Sequence, residues 1–307
     1  VLKGVRFGET ALAALTNGTR DAWDAMFIAA DRDLTDPINY AALQQYVDID
    51  QLIDYNITIL YTGDRDGPTG IVAGQSTPKN FYALRHRSPE GRFRFYNWDA
   101  DFTFEDVNVD MSEREGSQNP ARLHYKLRAN PEYRLKFADR VRAYFFNDGP
   151  LTPGAVADTF ISRANEVDQA IVAESARWGD AKREPPYQRD INWVVERDRV
   201  VNSYIPARSN VVLNQFIADG LYPSTVAPDY RVNGAPQHGG SIDENDSLSV
   251  AASAGTVYYT TDGSDPRSGP PVVATTTLIA ENAPVRAIVP TSNSHDTTWR
   301  QTGFNDT

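Results

Sequence analysis

The chain has 307 residues, no cysteine, and 41 acidic against 30 basic side chains, for a formal net charge of −11. The lack of cysteine excludes a disulfide scaffold, a thiol nucleophile and a zinc site with cysteine ligands. The acidic balance argues against a nucleic-acid partner, which would need a basic face, and no apolar run reaches the ~18 residues of a membrane-spanning helix.

Residues 1–222 carry the helical part of the chain. Apolar residues recur there every three or four positions, and polar residues or proline stand where helices are expected to begin. We expect helices to start at Asp48, Asn130, Gly154 and Asp190, the last being bent or broken at Pro206 and ending at Gly220. The inner stripe of the third helix is predicted to comprise Val156, Phe160, Ala164, Val167 and Ile171.

A β-hairpin is predicted between the first and second helices. Asn80–Arg87 and Arg92–Trp98 read as alternating strands, and Ser88–Gly91 supplies the proline and glycine of a connecting loop. In this arrangement Arg87 pairs with Arg92 across the turn.

This pairing makes a prediction about the open end of the hairpin. Asn80 would lie directly opposite Asp99, with Cα atoms roughly 4.5–5.5 Å apart. An amide oxygen and a carboxylate at that distance suit Mg²⁺, and the loop Asp64–Gly67 supplies further carboxylates. Protein kinases combine the same groups, since a loop Asp takes the substrate proton while an Asn and a later Asp hold metal. Asp and Asn also form turns and caps at strand ends, so a structural role stays open.

From about residue 223 the helical pattern stops, at a segment punctuated by Pro223 and Pro228. Strand-like runs follow at Ser247–Ala252, Thr256–Thr261 and Val285–Val289, separated by glycine- and proline-containing turns. They predict a small antiparallel β-sandwich. The predicted fold class is therefore α+β, with a mostly helical domain that carries the hairpin and a second, all-β domain.

Seven motifs occur in order in the first part of the chain: Tyr46–Tyr55, Gly63–Asp66, Asn80–Arg85, Phe95–Asp99, Asn130–Arg134, Phe145–Thr152 and Glu174–Gly179. Together they resemble the spore-coat protein H (CotH) kinase-like family over residues 1–222. The resemblance implies the C-terminal lobe of an atypical protein kinase, extracellular or surface-associated, that transfers the γ-phosphate of ATP to Ser or Thr. It further implies Mg²⁺ or Mn²⁺ as cofactor, and a surface or coat protein as substrate.

Position by position, the resemblance assigns Asp66 as the catalytic Asp, Asn80 as the metal-binding Asn and Asp99 as the metal-binding Asp. The family places its Asn only a few residues after the catalytic Asp, whereas here Gly67–Lys79 intervene. Asp64 is therefore an alternative to Asp66 in the catalytic position.

The segment Tyr258–Arg267 resembles the C-terminal β-sandwich attached to chitobiases and β-hexosaminidases. Asp262 and Asp265 in this segment are interpreted as turn residues. The resemblance to an accessory module gives no evidence of glycosidase activity, although neighbouring modules of this kind suggest an association with carbohydrate.

Three regions are therefore expected: a CotH kinase-like domain at 1–222, the chitobiase-type sandwich at 223–289, and the start of a further β module at 290–307. Val1–Gly4 resembles the hinge between kinase lobes. We therefore expect the N-terminal lobe to lie outside the chain, and the chain alone to bind ATP weakly and phosphorylate poorly.

Two other functions compete with the kinase hypothesis. One is a surface-display or adhesion scaffold that keeps the kinase-like fold without catalysis, for which Asp66, Asn80 and Asp99 need not converge. The other is a glycoside hydrolase, which would require two carboxylates about 5–10 Å apart across a cleft. The sequence offers no clear pair for that role.

Overall fold

The computed structural model describes residues 2–3, 14–15, 18–68, 80–181, 183–262, 264–267 and 293, the first two ranges for the backbone only. Its helices and small antiparallel sheets confirm the α+β class. The chain divides into two units, residues 1–254 and 255–307, whereas the domain limits at 222 and 289 stay predictions. Among the described helices, none combines the length and apolar character needed to span a bilayer.

Three helices precede the hairpin, namely α1 (Asp21–Ala30), α2 (Pro37–Gln44) and α3 (Ile49–Thr62). α3 begins where predicted, because the Asp48 carboxylate accepts a hydrogen bond from the backbone N–H of Gln51. Its predicted apolar face is buried and comprises Leu52, Ile53, Ile57 and Leu60. This buried face anchors the loop that follows the helix.

The hairpin forms, but in a different register from the predicted one. Strands β1 (Leu2–Lys3), β2 (Ala14–Leu15), β3 (Phe81–Leu84) and β4 (Arg94–Asn97) make an antiparallel sheet in the order β2-β1-β3-β4. Phe81 pairs with Asn97. Asn80 is therefore opposite Trp98, whose N–H donates to the Asn80 carbonyl oxygen over 3.3 Å. The prediction that Asn80 lies directly opposite Asp99 is wrong by one residue.

Burial explains this register. Ala83 pairs with Phe95, both are almost completely buried, and residues directly opposite in a sheet share a face. The Phe95 ring lies 6.3 Å from that of Trp23 in the core. The predicted register would place Phe95 opposite Leu84, which is 39% exposed. A one-residue slip would therefore turn an apolar face to solvent.

Helices α4 (Pro120–Leu127), α5 (Pro131–Phe145) and α6 (Pro153–Trp178) follow the hairpin. The Asn130 side chain caps α5 by accepting the N–H of Tyr133, which confirms the predicted start. The stripe predicted for α6 is only partly correct. Ala164 alone is buried, and Val167 is 44% exposed. The reason is that α6 packs through Val156, Ala157 and Phe160 against Val200, Tyr204 and Ile205.

Residues 189–218 form one continuous helix that starts near Asp190 as predicted. The π-helical turns Arg189–Trp193 and Val200–Tyr204 alternate with α7 (Val194–Arg199) and α8 (Ile205–Ala218). Pro206 lies in the first turn of α8, directly after the second π-helical turn, where its missing N–H is accommodated.

A second sheet follows, with β5 (Asp229–Val232), β6 (Ala235–Pro236) and β7 (Leu248–Ala251) in the antiparallel order β6-β5-β7. β7 confirms the strand predicted at Ser247–Ala252. Thr256–Thr261 forms no strand with any described residue. The strand predicted at Val285–Val289 lies outside the described residues, so the β-sandwich stays a prediction.

Candidate functional site

The loop that begins at Gly63 carries the first candidate site residue. Gly63 has φ 66°, a left-handed conformation that glycine adopts without steric cost. A Cβ atom at this position would lie 2.8 Å from Cγ1 of Val109 and 3.1 Å from the Tyr204 hydroxyl. The chain can therefore turn directly at the end of α3, and it places Asp66 close to that helix end.

The structure distinguishes Asp64 from Asp66. Asp64 is fully buried, and its Oδ1 accepts the N–H of Asp66 over 3.2 Å. Its Oδ2 has no hydrogen-bond partner among the described residues. Burial raises the pKa of Asp64 to about 7; the negative charges of Asp66 and Asp101 add to this, and hydrogen bonds from Asp66 and Gly67 oppose it. Asp64 thus shapes the loop, whereas the Asp66 side chain is only partly buried.

Asn80 contacts Asp66 directly. The Nδ2 of Asn80 donates to the main-chain oxygen and to the carboxylate Oδ2 of Asp66, each over 3.0 Å. No described residue donates to the Oδ1 of Asn80. The structure therefore brings together two of the three predicted site residues, although 13 residues separate them in the sequence.

Asp99 lies at the end of the other hairpin strand. It is exposed, and it directly follows Trp98, the residue that is hydrogen-bonded to Asn80. Asp99 has φ 56° and Asn80 has φ 52°. Asn and Asp tolerate this conformation better than most residues, and such backbone positions are enriched at functional sites. At the open end of the hairpin, the chain before β3 and the chain after β4 are thus shaped by the two residues that the resemblance assigned to metal binding.

The segment after Asp99 pairs with the loop of Asp66. The N–H of Arg65 donates to the Phe102 carbonyl oxygen over 3.1 Å, and the N–H of Phe104 donates to that of Thr62 over 2.8 Å. An ion pair of 2.9 Å between Arg65 and Glu105 lies beside these bonds. The loop after α3 and the segment after β4 therefore form one connected unit.

The side-chain oxygen atoms of Asn80 and Asp99 are of a type that suits a divalent cation. In the described ranges, no three His, Cys, Asp or Glu side chains converge as a metal site. The predicted donors, the Asp99 carboxylate and the Asn80 amide oxygen, are hard ligands of the kind that Mg²⁺ and Mn²⁺ prefer. Mg²⁺ commonly takes only one or two protein ligands and completes its shell with water and substrate phosphates. These residues therefore fit such an ion.

Asn119 is a site-supporting residue that sequence reasoning missed. Its Nδ2 donates to the Pro68 carbonyl oxygen over 2.9 Å, while its Oδ1 accepts the N–H of Arg122 and caps α4. Asn119 is fully buried, so it fixes the far end of the Asp66 loop. The Asn-Pro pair predicts a helix start, but nothing in it signals the bond to Pro68.

This arrangement defines an α+β protein with polar groups gathered between a helix end and a hairpin. A family model described as CotH kinase protein matches residues 11–210, more than half of the chain. The chain therefore belongs to this family, which implies a nucleotide and a divalent metal. A model described as Fn3 associated matches residues 247–299, and the narrower chitobiase-type assignment stays a prediction. Searches of curated proteins and of solved structures gave no match.

Proposed function

We propose that this chain is the C-terminal lobe of an atypical protein kinase that phosphorylates Ser or Thr hydroxyl groups with ATP. The contact between Asn80 and Asp66 carries the proposal, because it places a metal-type ligand beside a partly exposed carboxylate. The family resemblance supports an extracellular or surface location, a surface or coat protein as substrate, and a chitobiase-type sandwich after the kinase domain.

In the proposed reaction, Asp66 accepts the proton of the substrate hydroxyl. The hydroxyl oxygen bonds to the γ-phosphorus while the bond to the β–γ bridging oxygen breaks, and ADP leaves with that electron pair. Asn80 orients the Asp66 carboxylate, and Asp99 with the Asn80 oxygen would hold the cation. A bound Mg²⁺ or Mn²⁺ would neutralise the phosphate charge during transfer.

The test is phosphate incorporation from labelled ATP by the full polypeptide that its gene encodes, with Mg²⁺ or Mn²⁺. We expect Asp66→Asn to lower incorporation by about 10²-fold or more, and Asp99→Asn to abolish it. Glu113→Gln is the matched control, because Glu113 is a strongly exposed carboxylate paired with Arg128. If wild-type protein shows neither incorporation nor thermal stabilisation by ATP, the kinase proposal fails and the inactive scaffold is the better description.

A further inference from the structure

Arg208 in α8 is a buried cation with no carboxylate partner among the described residues. Its side chain is among the largest that are almost completely buried, and no described carboxylate lies within ion-pair distance of it. Instead the guanidinium donates to four main-chain carbonyl oxygens, those of Leu60, Tyr61, Val107 and Val109, over 2.5, 2.9, 2.6 and 3.0 Å. A buried charge needs such compensation, because its desolvation is otherwise costly.

These four acceptors belong to the two segments that carry the site. Leu60 and Tyr61 are in the last turn of α3, where carbonyl oxygens have no partner within the helix and carry partial negative charge. The Asp66 loop begins just beyond them. Val107 and Val109 end the segment that starts at Asp99. The Arg208 side chain therefore joins the end of α3 to the segment that follows Asp99.

The neighbouring turn of the same helix reinforces this junction. The Tyr204 hydroxyl, one turn before Arg208, lies 3.2 Å and 3.1 Å from the carbonyl oxygens of Tyr61 and Thr62. The Tyr204 ring also packs edge-on against Phe104, with centroids 5.4 Å apart. Arg199 donates to the Phe104 carbonyl oxygen over 2.5 Å. Three side chains from one helix thus hold the α3 end and the segment after Asp99.

We propose that Arg208 is a positioning residue that sets the separation of Asp66 and Asp99, and so the affinity of the site for metal-bound nucleotide. This inference rests on the proposed phosphotransfer function. The planar fork of arginine can reach both segments at once. A lysine keeps the charge but presents its donors from a single point, so it cannot span four carbonyl groups in the same geometry.

Arg208→Lys tests the inference, with Ser209→Ala as the matched control. Ser209 is the next residue of α8, is buried, and donates to the Leu151 carbonyl oxygen. Its hydroxyl also lies 3.4 Å from the Tyr61 hydroxyl, but among the described residues it bonds to no main-chain carbonyl oxygen of either site segment. We would measure Mn²⁺ affinity in the presence of ATP by electron paramagnetic resonance, the Mg²⁺ dependence of kcat, and the melting temperature. Arg208→Lys should weaken Mn²⁺ binding by roughly 10–100-fold and raise the Mg²⁺ concentration needed for half-maximal rate. Ser209→Ala should leave both unchanged even where it lowers the melting temperature as much.

The outcomes separate this inference from the proposed function. If the wild-type protein is active and the Arg208→Lys and Ser209→Ala variants bind metal with equal affinity, the positioning role of Arg208 is overturned while the proposed kinase function stands. Wild-type protein that neither transfers phosphate nor binds Mn²⁺ through Asp99 would overturn both.

Discussion

The side-chain amide of Asn80 donates to both the main-chain oxygen and the carboxylate of Asp66, each over 3.0 Å. One amide thus fixes the backbone and the side chain of the candidate base together. The arrangement orients the Oδ2 atom of the Asp66 carboxylate, and no described residue donates to the amide oxygen of Asn80. Asn80 therefore links the acid–base and the metal-binding parts of the proposed site.

The first prediction concerns this link. Asn80→Gly removes both hydrogen bonds but tolerates the φ of 52° at this position. We expect phosphotransfer to fall by roughly 10–100-fold, because Asp66 loses its orientation and the cation loses a ligand. Asn97→Gly is the control, since Asn97 is exposed at the end of β4 in the same hairpin. An equal loss of rate in both variants would contradict a specific role for Asn80.

The second prediction concerns the turn after α3. Gly63→Ala should destabilise the fold by about 2–4 kcal/mol, because alanine is strained at φ 66° and its Cβ would crowd Val109. Gly154→Ala in the first turn of α6 meets no atom within 4 Å and should stabilise it by about 0.4–1 kcal/mol. Urea denaturation of both variants measures the difference. Similar stability of the two would show that Gly63 is not conformationally required.

The third prediction concerns the pH dependence of stability. Burial raises the pKa of Asp64 to about 7 in the folded state, against about 3.9 in an unfolded chain. Between these two pKa values the folded state keeps a proton on Asp64 that the unfolded chain has released. The stabilisation of the fold by this proton is complete below about pH 4 and is lost as the pH rises through about 7. Asp64→Asn should remove this loss, which is on the order of a few kcal/mol.

Unfolding free energies of wild type and Asp64→Asn, measured without metal between pH 4 and pH 8, check this expectation. The two curves should diverge as the pH rises, with wild type the less stable at pH 8. Parallel curves would mean that Asp64 titrates normally in the folded protein.

Local patterns predict the elements of this fold better than their register. Alternation in β3 and β4 indicates the hairpin, yet it fits two registers one residue apart. The choice depends on the burial of Ala83 and on the packing of its partner Phe95 against Trp23, which is a tertiary effect. For the same reason the α6 stripe failed at Val167, because periodicity marks an apolar face but not how much of it meets a partner.

In the candidate site, too, the sequence indicates residues but not their tertiary contacts. The hairpin pattern indicated Asn80 and Asp99 as an oxygen site near the carboxylates of residues 64–67, and a family resemblance assigned the individual roles, including that of Asp66. The structure places Asp66 and Asn80 in contact. No spacing rule predicts that contact across an intervening segment of 13 residues. Arg208 gave no signal either, because an arginine in a helical pattern is normally solvated, and its burial depends on two distant segments that offer carbonyl oxygens.

The meeting of Asp66 and Asn80 also has an evolutionary consequence. It brings Asp66 and Asn80, which flank residues 67–79, to within hydrogen-bonding distance, so a longer connection between them need not break this contact. Doubling the length of a flexible loop costs only about 0.6 kcal/mol in closure entropy. This position can therefore drift in length between relatives, and it offers an engineer a point at which to splice a reporter domain beside the site.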